Sequence, residues 1–382
     1  MNIVYCIDSV CYPGGIQRIT IAKANALAAI ESNNVSIVVT DNKRPKPVLP
    51  ISDKVSLVDL GIDYYADDWK SRWHILKGVF IKRKRHKVKL CHLLNSLHPD
   101  IVISTGTSEK YFLPHLKVAS SPAFIREIHF PKDYRLRSAQ GLFEKIMAVL
   151  GNFADFRINI WSYDRIVLLT NEDLRLDWRS NTKLTVIPNP VTVPTASLSS
   201  LQNKIAIAVG RLEYPKNFES LIRTWGVVHQ KHRDWRLEIW GDGSLREGLQ
   251  EQINRNLLEK VVLLKGYTDD IYSKYENASF LVCSSLFEGF GLMMLEAMFS
   301  GLPIISYDCP CGPRELIQDN NNGFLVQLGD ERMLAEQICR LIEDENLRQR
   351  MGASAHVVAK GFSIEKITNQ WITLFNSVLE KK

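Results

Sequence analysis

Short apolar runs alternate with longer amphipathic stretches through both halves of this 382-residue chain. Several runs are rich in Val and Ile along their whole length, as expected of strands that are covered on both faces. Such alternation predicts an α/β fold built on parallel sheets with right-handed helical crossovers. The predicted strands are Ile3–Ile7, Ser36–Thr40, Ile101–Ser104, Phe124–Ile128 and Arg165–Leu169 in the first half, and Ile205–Val209, Arg236–Trp240, Val261–Lys265, Phe280–Cys283 and Pro303–Ser306 in the second.

The chain is longer than one ordinary domain and suits two. The boundary is predicted at Ile187–Val191, where two prolines hold the backbone extended and interrupt both periodicities. We therefore predict two Rossmann-like, doubly wound domains that face each other across a cleft, residues 1–190 and 191–363. The last stretch, 364–382, reads as an amphipathic helix, and by analogy with known folds we expect it to pack back on the first domain.

Charge is unevenly distributed between the two halves. Residues 1–190 hold 27 Lys and Arg against 18 Asp and Glu, whereas residues 191–382 hold 21 against 24. Much of the excess lies in the run Ile81–Lys89, which is either a solvated helix face or a surface attracted to an anionic membrane or a pyrophosphate-linked acceptor. Nucleic acid is not predicted as a partner, because no recognisable binding motif accompanies the run.

The first ten residues enter a strand pattern directly, without the basic segment or cleavage site of a signal peptide. The seven cysteines are odd in number and scattered, which suits a reducing compartment. A cytoplasmic protein is therefore predicted. Cys309 and Cys311 lie close in sequence but have no His or Cys partners nearby, so no metal site is predicted.

The most informative local motif is a glycine-rich loop followed by a helix, over Phe287–Glu296. Gly289 and Gly291 let the backbone approach a ligand closely. Good helix formers and an apolar stripe follow in Leu292–Ser300. The free N–H groups at the start of that helix would face the loop, which suits a phosphate.

Two carboxylates, Glu288 and Glu296, flank this loop. A carboxylate cannot profitably face a phosphate, but it accepts hydrogen bonds from sugar hydroxyls. The motif therefore indicates a site for a sugar attached to a phosphate. The alternative is a solvated helix face that happens to carry two glutamates.

Two cations follow the first strand of the second domain. Arg211 comes directly after Ile205–Val209, and Lys216 precedes the helix that begins near Phe218. Both are predicted at the carboxyl edge of the sheet, where α/β proteins bind ligands. An arginine fork and a lysine charge suit a diphosphate, although they could also be ordinary surface cations.

Three further strand ends carry candidate residues. Gly14 and Gly15 follow the first strand without a dinucleotide fingerprint, and they either present N–H groups to a phosphate or form a simple turn. Gly241 and Asp242 end another strand and either leave room for a base or ribose or turn the chain before a helix. His129, at a strand end of the first domain, would face the cleft from the acceptor side, although a lone histidine is usually structural.

Taken together, these residues resemble the retaining glycosyltransferases of family 4, which have the GT-B fold. The resemblance is strongest over residues 185–330, and its variants look like bacterial surface-polysaccharide enzymes. It rests on an ordered set of motifs, Ile187–Pro190, Gly210-Arg211 with Lys216-Asn217, Gly241–Gly243, Glu288 with Glu296, and Gly301–Pro303.

For the donor, the resemblance implies that Glu288 holds the sugar hydroxyls and Glu296 the ribose. It implies that the backbone of Phe290, Gly291 and Leu292 meets the phosphates of the nucleotide.

For catalysis, the resemblance implies that Arg211 and Lys216 stabilise the departing diphosphate, without a metal ion or other cofactor. Gly15 would contact the phosphates from the first domain. His129 matches the acceptor-side histidine of the family only loosely.

The predicted function is a cytoplasmic, retaining hexosyl or N-acetylhexosaminyl transferase at the inner face of the membrane. It would move the sugar from a UDP-sugar to a lipid-linked glycan in surface polysaccharide or lipopolysaccharide biosynthesis. The alternatives are a nucleotide-sugar epimerase or a phosphorylase of the same architecture, and a non-catalytic nucleotide-sugar-binding protein. The sugar, the acceptor and the linkage are not specified by the sequence.

Overall fold

Two parallel β-sheets organise the chain, one in each of two structural units. Unit 1 comprises Met1–Thr192 and Ile364–Lys382, and unit 2 comprises Val193–Ser363. The computed structural model describes residues 1–12, 14–41, 46–64, 72–139, 141–176, 178, 182–192 and 197–381, with the backbone alone for 72–79.

Unit 1 contains a seven-stranded sheet in the order β3-β2-β1-β4-β5-β6-β7. The strand order reverses between β1 and β4, which makes that junction the switch point where such sheets bind ligands. The strands are β1 Asn2–Ile7, β2 Asn34–Val39, β3 Val55–Asp59, β4 Ile101–Ser104, β5 Ala123–Glu127, β6 Arg165–Leu168 and β7 Leu184–Val186. The helices are α1 Gly15–Ala28, α2 Arg72–Leu97, α3 Tyr134–Ser138, α4 Leu142–Phe153 and α5 Asn171–Leu174, followed at the end of the chain by α13 Ile364–Leu379.

Unit 2 contains a six-stranded sheet in the order β10-β9-β8-β11-β12-β13, with its switch point between β8 and β11. The strands are β8 Ile205–Val209, β9 Arg236–Trp240, β10 Val262–Gly266, β11 Phe280–Cys283, β12 Ile304–Tyr307 and β13 Gly323–Val326. The helices are α6 Phe218–Lys231, α7 Arg246–Arg255, α8 Tyr272–Glu276, α9 Leu292–Phe299, α10 Pro313–Leu316, α11 Glu331–Glu343 and α12 Glu345–Ala359. The paired strands of both sheets run parallel, as the alternation of strands and helices predicts.

Each unit has its own hydrophobic core. In unit 2 the main core cluster packs one face of the sheet against helices that include α6, α7 and α11, with Trp225, Phe280 and Tyr307 fully buried. In unit 1 one core cluster includes Trp371 and Phe375 of α13, which pack with the β1–β4 side of the sheet and with α1. The final helix therefore belongs structurally to unit 1.

The structure adds three strands that the periodicity does not reveal, β3, β7 and β13. All three lie at sheet edges. β3 and β7 are covered incompletely, so their apolar patterns are weak, whereas β13 is mostly buried but is only four residues long and begins with glycine.

No helix among the described residues combines the length and the apolar character needed to cross a membrane.

Candidate functional site

Lys216 and Glu288 meet at the switch point of unit 2. Lys216 closes a short 3₁₀ turn after β8, and Glu288 lies in the loop after β11, the strand that neighbours β8. Lys216 Nζ donates to Glu288 Oε1 at 2.7 Å. Burial acts to lower the pKa of Lys216, but the charge of Glu288 outweighs it and raises that pKa above its usual value.

Backbone and serine hydrogen bonds hold the two loops together. The Leu286 N–H donates to the carbonyl of Pro215 at 2.8 Å, and Ser284 Oγ donates to the carbonyl of Lys216 at 2.8 Å. On the other side, the Glu288 N–H donates to the carbonyl of Pro310 at 3.1 Å. The ion pair is therefore fixed from β8, β11 and β12 at once.

Ser285 is a member of this site that the motif analysis missed. Its Oγ donates to Glu288 Oε1 at 2.6 Å, and its side chain is buried. Its position in the sequence could have indicated this role, because Ser285 lies two residues after β11, at the same strand end as Glu288.

Helix α9 begins where the glycine-rich loop predicts. Gly291 is its N-cap with φ of 85°, a left-handed conformation that glycine adopts without strain. Phe290 is buried, and Leu292 is the first helical residue. Glu296 is buried on the same helix. The N-terminal N–H groups of α9 thus follow directly on the loop that carries Glu288.

Close backbone packing explains the glycines after β8 and β9. A Cβ atom on Gly241, whose φ is 138°, would lie 1.9 Å from the carbonyl oxygen of Gly210. The carboxyl ends of β8 and β9 can therefore approach each other only because residue 241 is glycine. Asp242 is exposed and accepts a hydrogen bond from the Gly243 N–H at 2.9 Å.

Arg211 is exposed at the carboxyl end of β8, one residue after Gly210. Within the part of the chain that the structure describes, no ion pair includes its guanidinium. Its placement at the switch point matches the expectation, but the structure does not bring it onto the Lys216–Glu288 pair.

Unit 1 has a pocket of about 600 Å³ at its own switch point, and the remaining predicted residues lie at or beside it. Helix α1 begins at Gly15 with Gly14 as N-cap, and the next two residues, Ile16 and Gln17, line the pocket. His129, just beyond β5, lines it from the other side.

The buried ion pair between Lys23 and Glu127 lies next to His129. Glu127 accepts a hydrogen bond from Lys23 Nζ, and His129 Nε2 lies 3.5 Å from the same carboxylate. Burial acts to raise the pKa of Glu127, but Lys23 and His129 lower it to about 2. His129 thus lies beside a carboxylate that stays ionised, although its Nε2 makes no hydrogen bond within the described part of the chain.

Cations form part of the pocket wall. Lys110 and Arg135 each approach Asp155 Oδ2 at 2.7 Å. Arg126 donates to the carbonyl oxygen of Gly106 at 2.6 Å and to that of Ser104 at 3.1 Å. The sequence does not single out these residues, because Asp155 lies in the helical turn after α4, far in sequence from Lys110, and Arg126 lies on a different strand from Ser104 and Gly106.

No cluster of three His, Cys, Asp or Glu side chains suited to a metal ion occurs among the described residues.

Comparisons with known proteins address the second unit most directly. The family of glycosyl transferases group 1 matches residues 194–357. An uncharacterized glycosyltransferase of Haemophilus influenzae is 27% identical over 374 residues, which cover 97% of this chain and 98% of that protein.

Other relatives match over part of their length. A poly(ribitol-phosphate) alpha-N-acetylglucosaminyltransferase of Staphylococcus aureus is 31% identical over 55% of this chain and 44% of its own. The N-acetylgalactosamine-N,N'-diacetylbacillosaminyl-diphospho-undecaprenol 4-alpha-N-acetylgalactosaminyltransferase of Campylobacter jejuni is 32% identical over 44% of this chain and 45% of its own. The chain therefore spans less than half the length of these two relatives.

Among solved structures, a variant of S. aureus TarM in complex with Fondaparinux, alpha-GlcNAc-glycerol and UDP superposes with a TM-score of 0.77. The alignment covers 98% of this chain and 99% of that one at 17% identity, so it establishes the fold alone. The protein has the GT-B fold, and most of its second unit is similar to the family of glycosyl transferases group 1.

Proposed function

We propose that this protein is a retaining glycosyltransferase of family 4 that does not use a metal ion. It moves a hexosyl or N-acetylhexosaminyl group from a UDP-sugar to a lipid-linked glycan during surface polysaccharide synthesis. It works in the cytoplasm at the inner face of the cell membrane. The observation that carries the proposal is the Lys216–Glu288 pair at the switch point of unit 2, directly before the N-terminus of α9.

The charges of this site suit a nucleoside diphosphate as leaving group. Lys216 is held protonated by Glu288, and Arg211 adds a second cation at the same strand end. The N–H groups of Gly291 and Leu292 at the start of α9 add the positive end of a helix dipole. Such fixed donors stabilise negative charge as it develops and supply what a metal ion would otherwise provide.

The opposite end of the donor is assigned to Glu288. The hydrogen bonds from Lys216 and Ser285 both go to Oε1. We therefore assign Oε2 to the hydroxyls of the transferred sugar and Glu296 to the ribose.

The reaction proceeds without a covalent enzyme intermediate. The bond between the anomeric carbon and the β-phosphate oxygen breaks, and both electrons stay on the diphosphate. The acceptor hydroxyl oxygen attacks the same face of the anomeric carbon, and its proton passes to a phosphate oxygen of the leaving group. Lys216 and Arg211 stabilise the charge that accumulates on the diphosphate.

Relatives support the donor and the acceptor classes. The TarM structure contains UDP, and the C. jejuni relative is named for a diphospho-undecaprenol acceptor. In this chain the pocket of unit 1, with His129, Lys110 and Arg126 in its wall, is the proposed binding site for the acceptor.

A two-stage experiment tests the proposal. A thermal-shift panel of UDP-, GDP-, ADP- and TDP-sugars identifies the donor, since a ligand raises the apparent stability by mass action. UDP release and product anomericity are then followed with lipid extracts as acceptor, with and without EDTA. We expect stabilisation by a UDP-sugar, acceptor-dependent UDP release that EDTA does not change, and retention of configuration.

Other results would assign the protein elsewhere. Conversion of the UDP-sugar without an acceptor would indicate an epimerase, and a requirement for orthophosphate would indicate a phosphorylase. Donor binding without UDP release would indicate a non-catalytic protein. Lys216→Met should nearly abolish acceptor-dependent UDP release, and its matched control is Lys204→Met. The partner of Lys204 is Asp234, and both residues lie at the opposite, amino edge of the sheet.

A further inference from the structure

Helix α4 of unit 1 exposes an unusually apolar surface. Eight of its twelve residues are apolar, and seven of those are large and exposed, for example Leu142 at 79%, Phe143 at 72% and Leu150 at 59%. Ala148 is the only buried residue of the helix. We call the seven, together with Ile158 at 56%, the α4 surface; it comprises Leu142, Phe143, Ile146, Met147, Val149, Leu150, Phe153 and Ile158.

Such a surface is costly in water. Each large apolar side chain would be stabilised by removal from water. Soluble proteins rarely leave so many apolar side chains contiguous and exposed unless something covers them. The helix is nevertheless well defined, because the Gly141 N–H donates to Glu144 Oε2 at 3.3 Å and caps its first turn.

The charge of unit 1 indicates what covers this surface. Unit 1 holds 30 Lys and Arg against 20 Asp and Glu, whereas the remaining residues of the chain hold 18 against 22. Lys145 is exposed on α4 itself, and Arg135, which pairs with Asp155, packs beside Gly151 of the helix. An apolar helix on a positively charged unit complements a bilayer whose headgroups are anionic.

The length of α4 limits the mode of contact. Twelve residues are too few to span a bilayer, which takes about 20. A helix exposed around most of its circumference suits shallow insertion at the level of the headgroups and upper acyl chains.

The same segment also forms the wall of the unit 1 pocket. Asn152 near the end of α4, and Asp155 and Phe156 in the turn of π-helix that follows, line the pocket. Phe153, between them, is exposed on the α4 surface at 58%. One short stretch of chain thus separates a cation-lined cavity from the apolar surface.

We propose that the α4 surface inserts into the interface of an anionic membrane. A lipid-linked acceptor then enters the adjacent pocket with its polar group while its acyl part stays in the bilayer. The part of this inference that concerns the acceptor rests on the proposed function; the membrane contact does not. It also assigns the contact to α4 rather than to the basic run Ile81–Lys89.

Vesicle flotation without any sugar donor tests the contact. The probes are vesicles of phosphatidylglycerol with phosphatidylcholine and vesicles of phosphatidylcholine alone, at low salt. We expect the wild type to float with the anionic vesicles, and Phe143→Gln/Leu150→Gln to lose at least 10-fold in the bound-to-free ratio.

Two matched variants separate the α4 surface from general effects. Val227→Gln/Val357→Gln makes the same type of change at exposed helical positions of unit 2, 49% and 69% accessible, and should float like the wild type. Lys84→Glu/Lys87→Glu alters exposed lysines of the basic run and should weaken flotation less than the α4 variant does. Circular dichroism of each variant verifies that it is folded.

Three results would overturn the inference. The first is that the wild type does not float, and the second is that the α4 variant floats as well as the wild type. The third is that neither floats and only the wild type self-associates in sedimentation without lipid, which would make a second copy of the chain the occupant of the α4 surface. Flotation without glycosyl transfer would instead refute only the proposed function.

Discussion

Lys216 Nζ and Glu288 Oε1 lie 2.7 Å apart, although the two residues are 72 positions apart in sequence. The parallel pairing of β8 with β11 brings them together, because each follows the carboxyl end of one of these strands. Glu288 thus has two tasks, to keep Lys216 charged and to face the sugar.

The pair predicts strongly coupled effects on turnover. We expect Lys216→Met and Glu288→Gln each to lower kcat by roughly 100-fold, the order found when one fixed donor is removed from a charged transition state. The double variant should lose much less than the product of the single losses, because the residues act as a unit. Acceptor-dependent UDP release measures all three. Additive losses would show that the pair does not act together.

Arg211 should affect catalysis more than donor binding. Its guanidinium is exposed at the strand end and is assigned to charge that appears only when the diphosphate leaves. Arg211→Ala should therefore lower kcat by at least 10-fold while the thermal shift caused by the UDP-sugar is retained. Arg332→Ala, at an exposed position whose only described ion pair is a 3.7 Å contact with Glu336, is the control. Equal losses in binding and turnover would remove the role assigned to Arg211.

The central strands of both sheets were predictable, because strands covered on both faces require continuous apolar runs. The loop–helix junction at Gly291 was predictable for a similar reason, since glycine and good helix formers adjoin there. The edge strand β3, by contrast, is half exposed, so its sequence carries a weaker pattern.

Long-range partners could not be predicted. Ser285 and Glu288 are neighbours in sequence, but the arrival of Lys216 depends on strand order. Lys23 and Glu127 are 104 positions apart, and only the packing of α1 over the sheet joins them. The exposure of the α4 surface could not be predicted for a different reason. An apolar helical sequence ordinarily indicates a helix that packs into the core.

Gly241 should tolerate no side chain. Its φ of 138° is unfavourable for other residues, and a Cβ atom would clash with the Gly210 carbonyl oxygen. We expect Gly241→Ala to destabilise unit 2 by about 2 kcal/mol or more and to weaken UDP-sugar binding. Gly248→Ala, in α7 with no atom within 4 Å of the added methyl group, should be neutral or slightly stabilising. Chemical denaturation with and without donor compares the two, and equal stability would contradict the packing argument.

We expect the stability of unit 1 to depend on pH because His86 is buried. Burial lowers its pKa to about 4, against the opposing charge of Asp8. Its ring packs edge-on against Phe112, and its Nδ1 lies 3.2 Å from Tyr64 Oη. Between the ordinary pKa of 6.5 and about 4 the unfolded chain binds the proton more readily. Stability should therefore fall as the pH drops through this window, by on the order of 3 kcal/mol in all.

Paired variants isolate this contribution. His86→Gln should reduce the difference in the free energy of unfolding between pH 7.5 and pH 4.5, and His92→Gln, at an exposed position of the same helix, should not. Asp173 changes stability in the opposite sense, because burial raises its pKa to about 6 and protonation then favours the folded state. Its effect cancels in the comparison, since the wild type and both variants contain Asp173. Urea denaturation at the two pH values provides the test, and an unchanged difference in His86→Gln would contradict it.

The Lys23–Glu127 pair predicts an asymmetric response to substitution. Both side chains are 1% exposed, and Lys23 Nζ also lies 4.4 Å from the ring centroid of Trp371 on α13. Glu127→Gln leaves a buried ammonium without its counter-charge, which should cost about 3–5 kcal/mol of folding free energy. Lys23→Met/Glu127→Gln removes that charge and fills the space under Trp371, so most of the loss should be recovered. Lys204→Met/Asp234→Asn, at an exposed pair, should change stability by less than about 1 kcal/mol. If the double variant is no more stable than Glu127→Gln in urea denaturation, the cost comes from lost packing around residue 127 and not from the unpaired charge.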